Sequence, residues 1–149
     1  MKLFTLGFTK KSAEQFFELL KKNNIQTLID IRLNNNSQLA GFTKGLDLKY
    51  FLKELCSIEY IHIIELAPTK VLLDDYKKKK ISWNGYEERF NQLLEQRNVA
   101  RDLRCFFSQH LAPFCLLCSE PVPDKCHRRL VAEYIKNKIP DLGVEIIHL

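Results

Sequence analysis

Short runs of apolar and β-branched residues alternate with helical patterns along the whole sequence, and this alternation constrains the fold most. The apolar runs occupy residues 3–7, 27–32, 58–64, 113–119 and 144–149, and each has the length of a buried strand. Between them, apolar residues recur at helical spacing over residues 12–22, 46–55, 68–79, 82–104 and 124–138. Because each crossover between parallel strands passes over the sheet, the pattern predicts a Rossmann-like, three-layer α/β fold. We expect a mostly parallel sheet of about five strands with helices on both faces.

Size and composition place the chain among soluble globular proteins. The chain has 149 residues, 46% of them hydrophobic and 28% charged, and it contains no linker or low-complexity segment. We therefore predict one domain over residues 1–149. No apolar run approaches the roughly 20 residues of a membrane helix, and the N-terminus carries no signal-peptide pattern. These features predict a cytoplasmic protein without a membrane partner.

The charge balance favours an anionic partner. The formal net charge is +5, and part of the excess lies in Lys77, Lys78, Lys79 and Lys80. Such a charge attracts an anionic small molecule or a nucleic acid. The alternative is that the lysine run is a solvated connection between two helices.

A strand-to-helix turn over residues 118–129 concentrates the chemical side chains of the chain. Asp124 is a good N-cap, which predicts a helix that starts there with Lys125, Cys126 and His127 in its first turn. Unpaired backbone N–H groups at a helix start attract anions, and Arg128 and Arg129 add guanidinium groups. The alternative is that one arginine is solvated and the other pairs with Glu120 or Asp30.

Residues at the carboxyl ends of other strands are site candidates as well, because ligands of open α/β sheets bind at that edge of the sheet. Asp30 and Arg32 end the second run and share one face, so they either pair with each other or serve a ligand. We identify two sets of candidates. The anion-binding candidates are Lys10, Arg32, Arg128 and Arg129, and the catalytic candidates are Asp30, Glu120, Cys126 and His127.

The five cysteines of the chain cannot all form internal disulfides. Cys126 is either a reactive thiol at a helix start or a packed core residue. His127 adjoins it in sequence and points about 100° away on a helix, so a base for Cys126 would come from elsewhere, with His62 and His110 as candidates. Cys115 and Cys118 face opposite sides of a strand and cannot share a metal there. We therefore predict no cofactor and no metal site, with zinc as the alternative.

Several common mechanisms lack their motifs. The sequence contains no P-loop, no G-x-G-x-x-G, no G-x-S-x-G and no H-E-x-x-H. An RNP-like aromatic motif is also missing. The common nucleotide, hydrolase and zinc-protease mechanisms therefore have no support in the sequence.

The combined motifs resemble those of domain-of-unknown-function family 488. The motifs are Phe4 to Phe8, Leu28 to Arg32, the loop over residues 37–42, Tyr60 to His62, Leu117 to Glu120 and Cys126 to Arg129. The resemblance is nearly full length and implies a small bacterial or archaeal α/β domain without an agreed activity. It carries over Asp30, Arg32, Glu120, Cys126, His127 and Arg128 as site candidates. Some relatives have Gly-His-Ser where this chain has Gly7, Phe8 and Thr9.

These observations lead to one functional prediction and two alternatives. We predict a small enzyme that binds an anionic substrate, a nucleotide or phosphorylated molecule, at Arg32, Arg128 and the helix start. Glu120 or Asp30 would then serve as acid or base. The alternatives are a nucleic-acid-binding module and a structural zinc or thiol-redox protein.

Overall fold

A computed structural model describes residues 1–36 and 40–149 and contains one five-stranded sheet. The strands are β1 (Lys2–Gly7), β2 (Thr27–Asp30), β3 (Glu59–His62), β4 (Phe114–Cys118) and β5 (Glu145–His148). They lie in the order β3-β2-β4-β1-β5, and every neighbouring pair is parallel. This arrangement confirms the predicted α/β class. Residues 37–39, part of the loop that contributes to the family resemblance, lie outside the described residues.

Six α-helices connect these strands in the described part of the chain. They are α1 (Ala13–Lys22), α2 (Gly45–Phe51), α3 (Lys70–Lys77), α4 (Trp83–Gln96), α5 (Val99–Gln109) and α6 (His127–Lys138). A π-helical turn (Leu52–Cys56) extends α2, and short 3-10 turns cover Gly41–Thr43, Ile64–Leu66 and Pro140–Leu142. The predicted capping box at Ser12 and Gln15 starts α1, with both reciprocal hydrogen bonds present. None of the described helices is both long and apolar enough to cross a membrane.

The sheet separates two apolar cores, which gives the fold its three layers. Neighbouring strand residues point to opposite faces, so Leu3 and Phe114 enter one core while Phe4 and Cys115 enter the other. One face is covered by α1 and α2, through residues such as Phe16, Leu20, Leu48 and Leu52. The opposite face is covered by α3 to α6, through residues such as Leu72, Phe90, Leu103 and Leu130. Helices on both faces are what the alternating pattern predicts.

Two predicted helix boundaries are wrong. The helix predicted over residues 82–104 is two helices, because Asn98 adopts a left-handed conformation with φ of 53° between α4 and α5. The helix predicted to start at Asp124 starts at His127, with Cys126 as its N-cap in an extended conformation. A turn holds residues 123–126 out of the helix, since the Cys126 N–H donates to the Pro123 carbonyl at 3.1 Å.

The strand order brings three carboxyl ends together around β4. Gly7 of β1 lies beside Cys118 of β4, and Asp30 of β2 lies beside Leu117. The helices that follow β1 and β2 lie on one face of the sheet, whereas α6, which follows β4, lies on the other. The chain therefore leaves neighbouring strands toward opposite faces of the sheet, and open α/β sheets bind ligands at such an edge.

Candidate thiol and guanidinium site

Two thiols and an imidazole meet where β4 passes into α6. Cys118 ends β4 and lies two residues after Leu116, so its side chain faces the layer that contains α6. Cys126 caps α6, and His127 is its first residue. The two sulfurs and one ring nitrogen of His127 all lie within 4.8 Å of one another, and all three residues are buried. The late start of α6 is what places Cys126 against Cys118.

The groups around the Cys118 sulfur favour its ionised form. A hydrogen bond from the Cys126 thiol lowers the pKa of the Cys118 thiol below its ordinary value, whereas burial opposes this shift. Hydrogen bonds from the backbone N–H groups of Ser119 and Glu120, together with the charge of Arg128, lower the pKa further. For Cys126, the hydrogen bond with Cys118 and burial raise the thiol pKa above its ordinary value. Of the two thiols, Cys118 therefore ionises first.

His127 links α6 to the end of β2. Its Nε2 lies 2.8 Å from the Ile31 carbonyl oxygen, which only accepts, so Nε2 carries the proton and Nδ1 is free in the neutral ring. The Cys118 sulfur lies 3.5 Å from Nδ1 and 3.8 Å from Nε2. Because a sulfur in line with the Nδ1 lone pair would be much farther from Nε2, the sulfur lies beside the ring. A turn of the imidazole would be needed before it could take a proton from Cys118 in line.

Arg128 is a fully buried cation that the described ion pairs do not include. Its Nη1 donates to the Glu120 carbonyl and lies 3.7 Å from the Cys126 sulfur, and its Nη2 lies 3.4 Å from the Pro121 carbonyl. Its Nε has no hydrogen-bond partner among the described residues. Burial of a charge costs free energy unless the charge is paired, so an anion near Arg128 would stabilise the folded protein.

Asp30 and Arg32 form a buried ion pair, as their shared strand face predicts. Arg32 Nε donates to one Asp30 oxygen at 2.9 Å, and Arg32 Nη2 donates to the other at 2.6 Å. The Tyr60 hydroxyl donates to the same carboxylate at 2.7 Å, and burial followed by the Asp30 charge raises the pKa of Tyr60. Arg32 Nη1 has no partner within the described ranges. The Asp30 oxygens are therefore occupied, while one N–H group of Arg32 remains available to a ligand.

The sequence also predicted Glu120, Arg129 and Lys10 as site residues, and each of them has its own surroundings. Glu120 is exposed, and only its backbone carbonyl contacts Arg128. Arg129 is engaged with two carboxylates, those of Glu87 at 3.1 Å and Glu133 at 3.0 Å. Lys10 is exposed in the turn after β1, where it lines a surface pocket with Lys11 and Lys22. The roles assigned to these residues stay predictions.

The structure also describes the residues with alternative roles in the sequence interpretation, namely the two other candidate bases, Cys115 and the lysine run. The His62 imidazole contacts the Arg32 carbonyl at 2.8 Å, and His110 contacts Glu59 at 2.9 Å, so the described contacts connect neither to the thiols. Cys115 is buried in the opposite core, as predicted. Lys77 to Lys80 are exposed at the end of α3, and nucleic-acid binding there stays a prediction.

A metal ion would find three ligand atoms in the cluster. Cys118, Cys126 and His127 are zinc-type ligands, and the Nε2–H bond of His127 to a carbonyl is the usual support for a metal bound through Nδ1. The ring must turn for Nδ1 to point at the position between the sulfurs. The nearby guanidinium of Arg128 also disfavours an added cation.

Two contacts at the candidate site were missed by the sequence interpretation, namely the Cys118–His127 contact and the link from Tyr60 to Asp30. The Cys118–His127 contact could have been predicted from the sequence. Residues 116 and 118 share a face, and a helix that follows β4 over that face must start next to residue 118. Tyr60 belongs to a motif of the family resemblance, but no sequence signal identified its contact with Asp30, because that contact depends on the register between β2 and β3.

Comparison with known proteins identifies a family and no individual relative. Searches of curated proteins and of solved structures found no significant match. Residues 12–135 match the family described as Domain of unknown function DUF488, and this match covers most of the chain. The chain therefore belongs to the DUF488 family.

Proposed function

We propose that this protein is a small thiol-dependent enzyme that acts on an anionic, phosphorylated substrate at the carboxyl edge of its sheet. One observation carries the proposal. The Cys118 sulfur lies within 4.8 Å of the Cys126 sulfur, which is 3.7 Å from the buried guanidinium of Arg128, and this guanidinium has no carboxylate partner in the described ion pairs. A thiolate is a nucleophile, and a buried guanidinium with a free N–H group binds an oxyanion.

The charges of the buried residues support an anionic ligand. The Arg32 charge is neutralised by Asp30, whereas Arg128 contacts carbonyl oxygens and a thiol. Ionisation of Cys118 supplies one compensating charge. The free N–H groups on Arg128 Nε and Arg32 Nη1 then offer two further contacts to the oxygens of a phosphate group.

The chemistry follows from this placement. The Cys118 thiolate attacks the phosphorus of a phosphate monoester, a sulfur–phosphorus bond forms, and the bond to the leaving oxygen breaks. The leaving alkoxide takes a proton from an acid, for which Glu120 is the candidate. Water then attacks the phosphocysteine, releases inorganic phosphate and regenerates the thiol. Arg128 and the N–H groups at the turn stabilise the charge on the phosphoryl oxygens throughout.

A phosphatase assay with p-nitrophenyl phosphate tests this proposal, because p-nitrophenolate leaves without a proton and the assay isolates the nucleophile. We expect Cys118→Ser to abolish turnover and Cys115→Ser, in the opposite core, to retain it. We expect Glu120→Gln to slow an alkyl phosphate more than the nitrophenyl ester. Equal activity of Cys118→Ser and the parent protein would refute the nucleophile.

Binding is tested separately with inorganic phosphate. Phosphate at 100 times its dissociation constant stabilises the folded protein by about 2.7 kcal/mol, measurable as a shift of the thermal midpoint against chloride at equal ionic strength. We expect Arg128→Lys to reduce this shift and Arg101→Lys, an exposed arginine, to leave it unchanged. An unaltered shift in Arg128→Lys would contradict the proposed anion site.

A zinc-binding protein is the second candidate, and the observation in its favour is the set of three ligand atoms within 4.8 Å. Protein purified without a chelator would then contain close to one zinc per chain. We expect Cys126→Ser to lose that zinc and Cys115→Ser to keep it. Absence of zinc from protein prepared in zinc-supplemented medium would exclude this candidate.

A further inference from the structure

We propose that Cys118 and Cys126 form a dithiol that hydrogen peroxide converts into an intramolecular disulfide, with Cys118 attacking the peroxide and Cys126 resolving the product. The proposal goes beyond the action on phosphate and does not depend on it. Its basis is the position of two free thiols, eight residues apart, on either side of the turn between β4 and α6.

The distance between the sulfurs permits the bond. Both sulfurs lie within 4.8 Å of each other, whereas a disulfide needs about 2.05 Å. Cys126 lies in an extended N-cap conformation at the end of a loop, so its side chain is not fixed within a helix. Small rotations of the two side chains, together with a shift of this loop, would close the gap.

The surroundings favour a small oxidant. Cys118 is 4% exposed and Cys126 is 2% exposed, so a molecule as small as hydrogen peroxide reaches the two sulfurs most readily. Arg128 Nη1 lies 3.7 Å from the Cys126 sulfur, and the backbone N–H groups of Ser119 and Glu120 face Cys118. These donors would stabilise the hydroxide that leaves when a thiolate attacks peroxide.

The chemistry balances in two steps. The Cys118 thiolate attacks one peroxide oxygen, the O–O bond breaks, and hydroxide leaves and is protonated to water. Cys118 is then a sulfenic acid. The Cys126 thiol attacks this sulfur, the S–O bond breaks, and a second water leaves with the disulfide. Two thiols are oxidised, one peroxide is reduced, and a small dithiol reductant such as dithiothreitol restores the starting state.

Peroxide titration tests the proposal in a protein with Cys56→Ser and Cys105→Ser, both outside the site. Of the five free cysteines, three remain in this protein, Cys115, Cys118 and Cys126. After treatment with a chelator, we expect one equivalent of peroxide to remove two thiols. Peptide mass spectrometry should show Cys118 joined to Cys126, and dithiothreitol should reverse the change.

Single substitutions in the same background separate the roles of the two thiols. In Cys126→Ser we expect a sulfenic acid at Cys118 that dimedone traps, and in Cys118→Ser we expect no disulfide. Cys115→Ser should behave like the parent. Circular dichroism of each variant establishes that it is folded, and Cys126→Ala replaces Cys126→Ser if the latter is not.

Two outcomes would overturn the inference. One is survival of all three thiols at a peroxide dose that fully oxidises glutathione in the same tube. The other is a disulfide that includes Cys115. Because the phosphatase and phosphate-binding measurements are made on reduced protein, a failure of either proposal is distinguishable from a failure of the other.

Discussion

At the scale of single residues, Gly7 is the glycine at which an added Cβ atom would meet the closest neighbours. A Cβ atom at Gly7 would lie 1.7 Å from the Glu120 carbonyl oxygen and 2.7 Å from Arg128 Nη1. The first neighbour is backbone, so the turn after β4 would have to move. We expect Gly7→Ala to cost about 1–3 kcal/mol or more of folding free energy, measured by urea unfolding.

Gly41 provides the matched control for this change, because a Cβ there would meet no atom of the described residues within 4 Å. We expect Gly41→Ala to change the free energy of unfolding by less than about 0.5 kcal/mol. Equal costs at the two glycines would show that β1 and the turn do not approach as closely as described.

The acidity of Cys118 also depends on single groups. Because the hydrogen bond from the Cys126 thiol is the largest influence that lowers the Cys118 pKa, we expect Cys126→Ala to raise that pKa. Cys126→Ser keeps a donor and should restore part of the lowering. The pH dependence of Cys118 alkylation, followed by peptide mass spectrometry in the presence of a chelator, measures both effects. An unchanged profile in Cys126→Ala would show that the Cys126 thiol does not lower the Cys118 pKa.

Which side chains share a face of a strand was predictable from the sequence, whereas the contacts around the turn after β4 were not. Strand periodicity separated Cys115 from Cys118 and placed Asp30 and Arg32 on one face, where they form the ion pair that was one of the two alternatives. The approach of Cys126 to Cys118 depends on a turn at Pro123 and on the contact of Arg128 with the Glu120 carbonyl. The sequence interpretation missed the turn at Pro123, and no local pattern contains the contact between Arg128 and the Glu120 carbonyl.

At the scale of elements, Tyr60 ties β3 to β2 through the Asp30 carboxylate. Hydrogen bonds to charged groups contribute about 1.5–3 kcal/mol, so Tyr60→Phe should destabilise the protein by up to this amount near neutral pH. Burial, followed by the Asp30 charge, holds the Tyr60 pKa above its ordinary value of about 10. The protonated hydroxyl therefore contributes stability that is complete below about pH 10 and is lost as pH rises further.

The alkaline part of this prediction is measured by chemical unfolding at about pH 9 and about pH 11. We expect the parent protein to lose more stability over this interval than Tyr60→Phe does. Tyr50→Phe, an exposed tyrosine, serves as the control and should behave like the parent. An identical loss in the parent and in Tyr60→Phe would be inconsistent with a raised Tyr60 pKa.

Element boundaries were predictable where local chemistry sets them. The capping box at Ser12 starts α1 as the sequence indicates. Asp124 is also a good N-cap residue, yet α6 starts three residues later, after a turn in which the Cys126 N–H donates to the Pro123 carbonyl. The break at Asn98 was missed because its left-handed conformation interrupts an otherwise continuous helical pattern.

At the scale of the whole molecule, one sheet serves two cores. Consecutive strand residues alternate between them, as Leu3 and Phe4 do in β1 and as Cys115 and Leu116 do in β4. Because the same strands contribute side chains to both cores, loss of one helical layer would expose strands against which the other layer packs. The predicted single domain over residues 1–149 should therefore unfold in one cooperative transition.

The only tryptophan tests this coupling, because Trp83 lies on α4 and reports on one face of the sheet. Phe16 is fully buried on the opposite face, and Phe16→Ala should cost about 3–5 kcal/mol. If the two cores unfold together, this substitution lowers the urea midpoint of Trp83 fluorescence as much as that of circular dichroism. Leu46→Ala, at a residue that is 79% exposed, should leave both midpoints in place. A fluorescence midpoint that stays fixed in Phe16→Ala would show that the two layers unfold independently, since only the layer beside Phe16 would then have lost stability.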